Sequence, residues 1–391
     1  MEYNFDKVIN RKGTDSKKWN NLEEEYGSED LLPMWVADMD FESPKEIIDA
    51  FQERVKHGIF GYPDIGEDVY NSIIKWVKER YNWDIKKEWI LFTPGVVTGL
   101  NIGINEIGEE GDNVVVQTPV YPPFYRVLEN NNRELNSNPL KFNGEKFEID
   151  FDNLEKNINS KTNIMMLCNP HNPVGRAWNR EELTKLGDLA IENDLTIISD
   201  DIHGDLTLDG VDHIPMASIS KELEERTVTF ISPSKTFNVA GLFTSVAIIP
   251  NSKLRDTFDS AIERMEIGKV SIFGALGLKT AYENGGDWLD AALEYIEANM
   301  DYAIDYIESE MPELKVTKPD ATYLLWIDFR ELNRSADEVM DALLEVGEII
   351  LNDGRPYGEG GEGYFRLNVG CPRSTVEEGL KRIKKAVESL K

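Results

Sequence analysis

Long apolar runs, cysteine, paired histidines and positive charge are all scarce in this sequence. No stretch approaches 18 consecutive apolar residues, and the first twenty residues, MEYNFDKVINRKGTDSKKWN, contain no apolar signal-peptide core. Neither a membrane-spanning helix nor export is therefore expected, and a cytoplasmic location is. The two cysteines, Cys168 and Cys371, and the four histidines, His57, His171, His203 and His213, share no CxxC or HExxH spacing. Disulfides and metal sites are not expected. Lysine and arginine together number 42 against 72 aspartates and glutamates, a formal charge of −30. Such a surface repels polyanions, which excludes nucleic acid as a partner and favours solubility.

What the chain does have is enough apolar residue for a large core, 41% of 391 positions, and length for two domains. Residues 1–42 read as an arm ending in LPMWVADMDF, residues that line or flank an entrance or pack across a seam. Ser43-Pro44-Lys45-Glu46 has the spacing of an N-cap, a proline at the first helical position and a capping-box glutamate, predicting a helix over 44–57. Val69, Ile73, Trp76, Val77 and Tyr81 then recur at helical spacing.

From Trp89 short apolar runs alternate with helical stretches: strands at 90–92, 114–116, 164–167, 195–198, 227–231 and 243–249, and helices at 96–107 and 181–192, the second capped by Asn179 with Glu182. This alternation predicts an α/β fold with a mostly parallel sheet covered on both faces, over residues 43–285. Residues 286–391, with helices at 288–310 and 336–346, strands at 321–328 and 364–369, and a last helix capped by Ser374, form a smaller α+β domain. The glycine-rich stretch 354–363 is expected to be a flexible loop.

Polar clusters follow the strands, where ligands bind in open α/β sheets. They are Thr93-Pro94-Gly95, Tyr121-Pro122-Pro123, Asn169-Pro170-His171-Asn172, Ser199-Asp200-Asp201-Ile202-His203 and Ser232-Pro233-Ser234-Lys235. A lysine beside strand ends can have its pKa lowered, which suits an amine that forms a Schiff base. With a carboxylate, a glycine-led helix start and an aromatic at the same edge, the set matches the needs of pyridoxal 5′-phosphate. Lys235 would hold the aldehyde and Asp200 the pyridinium nitrogen. The phosphate would rest on the amides of Gly95, Val96 and Val97 and on Ser232 and Ser234. Tyr121 would stack on the ring and Asn172 would donate to its phenolic oxygen.

The strings MWVADMDF, FGYP, TPGVVTGLN, VYPPF, LCNPHNPVGR, SDDIHGDL, SPSKTFNVAGL and FRLNVGCPR, in this order over nearly the whole chain, resemble the MalY/PatB-type cystathionine β-lyases. These carbon-sulfur lyases belong to the aminotransferase class I/II, fold type I group. The resemblance implies β-elimination from L-cystathionine or a related sulfur amino acid to give a thiol, pyruvate and ammonia. It also implies a homodimer with shared active sites, Tyr62 reaching the phosphate from the neighbouring subunit, and Arg366 forking the substrate carboxylate. Ala37 would lie at the substrate entrance. The family pattern usually has glutamate where Asp201 stands. Aminotransferases often carry an arginine where Phe243 stands and a tyrosine where His203 stands, and both departures point to the lyase branch. An aminotransferase with the same cofactor, or a regulatory protein retaining the enzyme fold, are the alternatives.

Overall fold

The computed structural model describes residues 3–391. Seven strands make the larger sheet: β1 (Ile90–Thr93), β2 (Asn113–Thr118), β3 (Glu134–Pro139), β4 (Thr162–Cys168), β5 (Thr196–Asp200), β6 (Thr227–Ile231) and β7 (Ser245–Ile248), in the spatial order β1-β7-β6-β5-β4-β2-β3. All neighbours are parallel except β7, which runs antiparallel to both β1 and β6. The central strands β4, β5 and β6 are almost entirely buried, polar residues included, because helices cover both faces of the sheet.

The elements that flank the sheet include α1 (Lys45–His57), α2 (Glu67–Tyr81), α3 (Val96–Glu106) and α4 (Arg180–Glu192). Val69, Ile73, Trp76, Val77 and Tyr81, spaced for one face of α2, are all buried there. Asn179 and Glu182 close a reciprocal capping box at the start of α4. Two other expected caps do not form. Pro44 is extended (ψ 133°), so α1 begins at Lys45, and the Ser43 hydroxyl donates instead to Asn238 O at 3.2 Å. The last helix starts at Arg373, one residue after Pro372, which places Ser374 inside the first turn, where it cannot cap.

The smaller C-terminal domain is built on an antiparallel sheet of β8 (Lys315–Val316), β9 (Leu324–Asp328), β10 (Asn352–Asp353) and β11 (Tyr364–Asn368), ordered β8-β9-β11-β10. The strand expected over 321–328 begins only at Leu324, because Thr322 adopts a positive φ of 78° just before it. The expected strand start at 243 also moves, to Ser245, since Phe243 closes the preceding turn in the left-handed region (φ 48°). The stretch 354–363 is not a loose loop. Gly354 N donates to Tyr364 O at 2.8 Å, and Tyr357 O accepts from Val120 N at 2.9 Å, tying the turn to the larger sheet. Leu32–Pro33 pairs in parallel with Ile349–Ile350, so the end of the N-terminal arm lies on the C-terminal domain.

Helix α3 holds the position of most consequence, because its N-terminus sits beyond the end of β1. It lies close over the sheet: a Cβ on Gly99 would come within 2.2 Å of the Phe230 ring, and one on Gly103 within 2.9 Å of Ile198. A side chain at position 99 forces the helix or the phenylalanine to move. Gly99→Ala is therefore expected to destabilise the protein by about 1–3 kcal/mol, read as a lower urea midpoint at unchanged m-value.

Candidate active site

One cavity of about 350 Å³ opens at the carboxyl edge of the larger sheet. Its walls include Gly95, Val96 and Val97 after β1, Tyr121 after β2, Asn172 after β4, Asp200 and His203 from the end of β5, and Ser234 and Lys235 after β6. Ala37, from the N-terminal segment, completes the wall. Parallel strands bring these positions together, because each strand delivers the residues that follow it to the same edge.

Lys235 lies in a single helical turn, Pro233–Thr236, that starts straight off β6. Ser232 caps this turn: its hydroxyl accepts from Ser234 N at 3.1 Å and donates to Thr244 O at 2.8 Å. Ser232 thus stands behind the cavity as a cap, while Ser234 reaches the wall. The Lys235 amine donates to Ala37 O at 2.6 Å. Burial, and then the positive charge of Arg366, lower its pKa to about 8.

Asp200 is almost fully buried at the last position of β5. Among the described residues the one hydrogen bond to its carboxylate is from Ile202 N, at 3.2 Å. Burial raises its pKa to about 7, against the lowering effect of that bond. A carboxylate so placed gains from a cationic hydrogen-bond donor inside the cavity. Next to it Asp201 points elsewhere, accepting from Ser199 Oγ and, at 2.9 Å, from His213 Nε2. His203 is held neutral: burial, then Lys235 and Arg366, push its pKa down to about 3. His171 donates from Nε2 to Pro119 O at 2.8 Å and packs on Trp178, a structural position.

At the head of α3, Gly95 is extended and no side chain caps the helix. The first N–H groups of an α-helix have no partner within it, and here Val96, Val97 and Thr98 line the cavity, a place for an anion. A Cβ at Gly95 would meet nothing within 4 Å, so the approach is open.

Arg366, on β11, is buried behind Asn172. It donates to Asn172 Oδ1 at 2.9 Å and to Trp35 O at 2.9 Å, with Tyr357 beneath its plane at 5.4 Å. No carboxylate among the described residues forms an ion pair with it, and its Nε has no partner. A buried cation without an anion of its own is suited to a bound carboxylate. Tyr62 is not part of this constellation. It is fully exposed on the loop between α1 and α2, beside the exposed Ile59 and Phe60.

Several contributors were not anticipated. Cys168, Ile202 and Phe243 also line the cavity, and Tyr323, Asn238 and Asn368 hold the segment around Ala37. Asn238 and Asn368 belong to the strings SKTFN and FRLN already marked by Lys235 and Arg366. Their proximity in sequence was the available signal.

A doubly covered, mostly parallel sheet with a lysine, a buried carboxylate and a bare helix N-terminus around one cavity, joined to a small antiparallel C-terminal domain, defines a pyridoxal-phosphate enzyme of fold type I. The aminotransferase class I and II family model matches residues 29–383. Cystathionine β-lyase PatB of Bacillus subtilis is 45% identical over 385 residues, covering 98% of this chain and all of PatB. Protein MalY of Escherichia coli is 33% identical over 392 residues, covering 100% of both. Cystalysin from Treponema denticola, whose crystal structure contains a pyridoxal 5′-phosphate cofactor, matches with a TM-score of 0.97 at 34% identity, covering 100% of both chains. The chain belongs to the aminotransferase class I and II family and, within it, to the MalY/PatB-type cystathionine β-lyases.

The lowered pKa of Lys235 has a direct consequence. Only the neutral amine is nucleophilic, so in protein freed of cofactor with hydroxylamine and then dialysed, labelling of Lys235 by trinitrobenzenesulfonate should rise with pH through a midpoint of about 8, followed by peptide mass spectrometry. An unperturbed lysine would show its midpoint about two units higher.

Proposed function

We propose that this chain is a pyridoxal 5′-phosphate-dependent carbon-sulfur β-lyase that cleaves L-cystathionine or a related cysteine S-conjugate to a thiol, pyruvate and ammonia. The observation that carries the reading is that Lys235 and Asp200 line one cavity, with the unpaired cation Arg366 beside it. The residues present fit the cofactor: Asp200 is a buried carboxylate in want of a cationic partner, and α3 offers free N–H groups in want of an anion. When bound, the cofactor supplies an electron sink for the carbanion at the substrate Cα.

The chain's own groups then have separate tasks. Asp200 holds a proton on the ring nitrogen, and the head of α3 with Ser234 binds the phosphate. Tyr121 stacks on the ring, and Asn172 donates to its phenolic oxygen. Arg366 forks the substrate α-carboxylate, which fixes Cα near Lys235. With a pKa of about 8, the Lys235 amine is able both to take the Cα proton and to return one near neutral pH. The apolar side chains of Val97 and Ile202 line the wall of the cavity. Ala37 and His203 border the substrate.

The residues divide as an arm over 1–42, a large domain over 43–285 and a small domain over 286–391. The chain works as a homodimer, in which Tyr62 serves the neighbouring cavity. Its complete exposure on a loop rich in exposed apolar residues supports that arrangement.

Incubation with L-cystathionine should release pyruvate and free thiol in equal amounts. Accumulation of pyridoxamine phosphate with ordinary amino acids, without thiol, would identify an aminotransferase instead. Lys235→Ala should abolish both the visible absorbance of the cofactor linkage and thiol release. Arg366→Lys should lose about 1.5–3 kcal/mol of binding to the carboxylate, about ten- to hundredfold in kcat/KM.

A further inference from the structure

The segment from Met34 to Phe41 has no regular secondary structure, yet it carries Ala37 in the cavity wall. Its successive carbonyls are taken by donors that come from both domains. Trp35 O accepts from Arg366 at 2.9 Å and from Asn352 at 2.8 Å. Val36 O and Asp38 O both accept from Asn368 Nδ2, at 2.6 Å each. Ala37 O accepts from Lys235 at 2.6 Å and from the buried Tyr323 hydroxyl at 2.9 Å. Met39 O and Phe41 O accept from Asn238 Nδ2, at 2.9 Å each. The positions of Arg366 and Lys235 are thus referred to one short piece of irregular backbone.

What fixes that backbone from behind is a cluster of four charges. Arg11 donates from Nη2 to Asp38 Oδ2 and from Nη1 to Asp40 Oδ1, both at 2.6 Å, and also reaches Met39 O at 3.2 Å. Lys18, with a side chain only 1% exposed, donates to Asp40 Oδ2 at 2.6 Å and lies 3.6 Å from Asp38. Trp19 Nε1 adds a bond to Asp40 Oδ1 at 3.3 Å. The two cations and two anions balance, and the cations hold the Asp40 carboxyl below the ordinary carboxylate range even though burial opposes this. Replacing a buried ion pair by apolar residues is often neutral or stabilising, so net stability is a poor reason for burying a lysine here. Directional bonds to alternate residues of a loop that has no ladder of its own do give it a single register.

We infer that Arg11 and Lys18 of the N-terminal arm, through Asp38 and Asp40, are positioning residues that set the carbonyls of Trp35 and Ala37 and thereby place Arg366 and Lys235. This inference rests on the proposed lyase reaction for its kinetic consequence, but not for its effect on Lys235 itself. Arg11 is partly exposed, so Arg11→Lys, which keeps the charge and loses the fork, should fold. Its holoenzyme should show KM for L-cystathionine raised about tenfold or more at a nearly unchanged thermal midpoint, since small misplacement of binding groups is costly.

Independently of any turnover, the trinitrobenzenesulfonate midpoint of Lys235 in hydroxylamine-treated, dialysed Arg11→Lys should fall below that of the parent protein treated alike, because a displaced Ala37 carbonyl no longer stabilises the ammonium form. Lys18→Met should raise KM more strongly, and Lys18→Met combined with Asp40→Asn, which removes the stranded charge, should recover part of that loss. If Arg11→Lys leaves KM and the labelling midpoint where they were, or if Lys18→Met lowers only the thermal midpoint, the inference is overturned. Parent protein that releases no thiol from L-cystathionine would instead overturn the lyase reading, while the labelling midpoints still decide the positioning role.

Discussion

A carboxylate held out of water with a single backbone N–H bonded to it is the constraint around which this structure is arranged. Asp200 ends β5, a strand buried on both faces, and meets solvent only through the cavity it lines. Burial, with the neighbouring Asp201 charge, brings its pKa to about 7 against the lowering effects of the Ile202 N–H and Lys235, near the point where it can hold or release a proton. Such a group has value only if the cavity accepts something that bonds to it. The free N–H groups of α3 ask for negative charge at one end of the cavity, and Asp200 asks for a cationic donor at another. Those opposite demands fit a ring carrying a phosphate and a basic nitrogen.

The positive charges obey a similar logic. Lys235 and Arg366 are close enough that each disfavours protonation of the buried His203, and Arg366 also lowers the pKa of Lys235. An arginine cannot relieve this by losing its proton, whereas a lysine can. The cluster therefore leaves a permanent cation where a carboxylate is to be bound and a titrating amine where a proton is to be moved. The irregular segment 34–41 makes the two depend on one another, since its carbonyls accept from both.

The fold was legible to a large extent because its signals are local. Buried strands read as apolar runs, α2 as a period-3.6 stripe, and α4 as a capping box that closes as its spacing requires. Ser43 and Ser374 carry equally good capping spacing and do not cap. One hydroxyl is taken by Asn238 O, nearly two hundred residues away, and the other lies inside a helix that begins earlier. Likewise, the glycines of 354–363 suggested mobility, yet Val120, from the other domain, holds the turn. For Ser43 and for the glycine turn, a distant partner outweighed the local preference.

From sequence alone came every strand of the larger sheet except β3, the placing of Lys235, Asp200, Asn172 and the head of α3 at strand ends, and the family. The strands and the site follow from periodicity and from the rule that parallel strands deliver their successors to one edge, and the family from the resemblance of the quoted strings. Only the tertiary structure decided that Arg366 is a buried cation without an anion, that Ser232 caps rather than lines, and that Arg11 and Lys18 pair with Asp38 and Asp40 in the segment that brings Ala37 to the cavity. The physical reason is range. Propensity and pattern act over a few residues, whereas burial and ion pairing depend on which distant segments the packed core brings together.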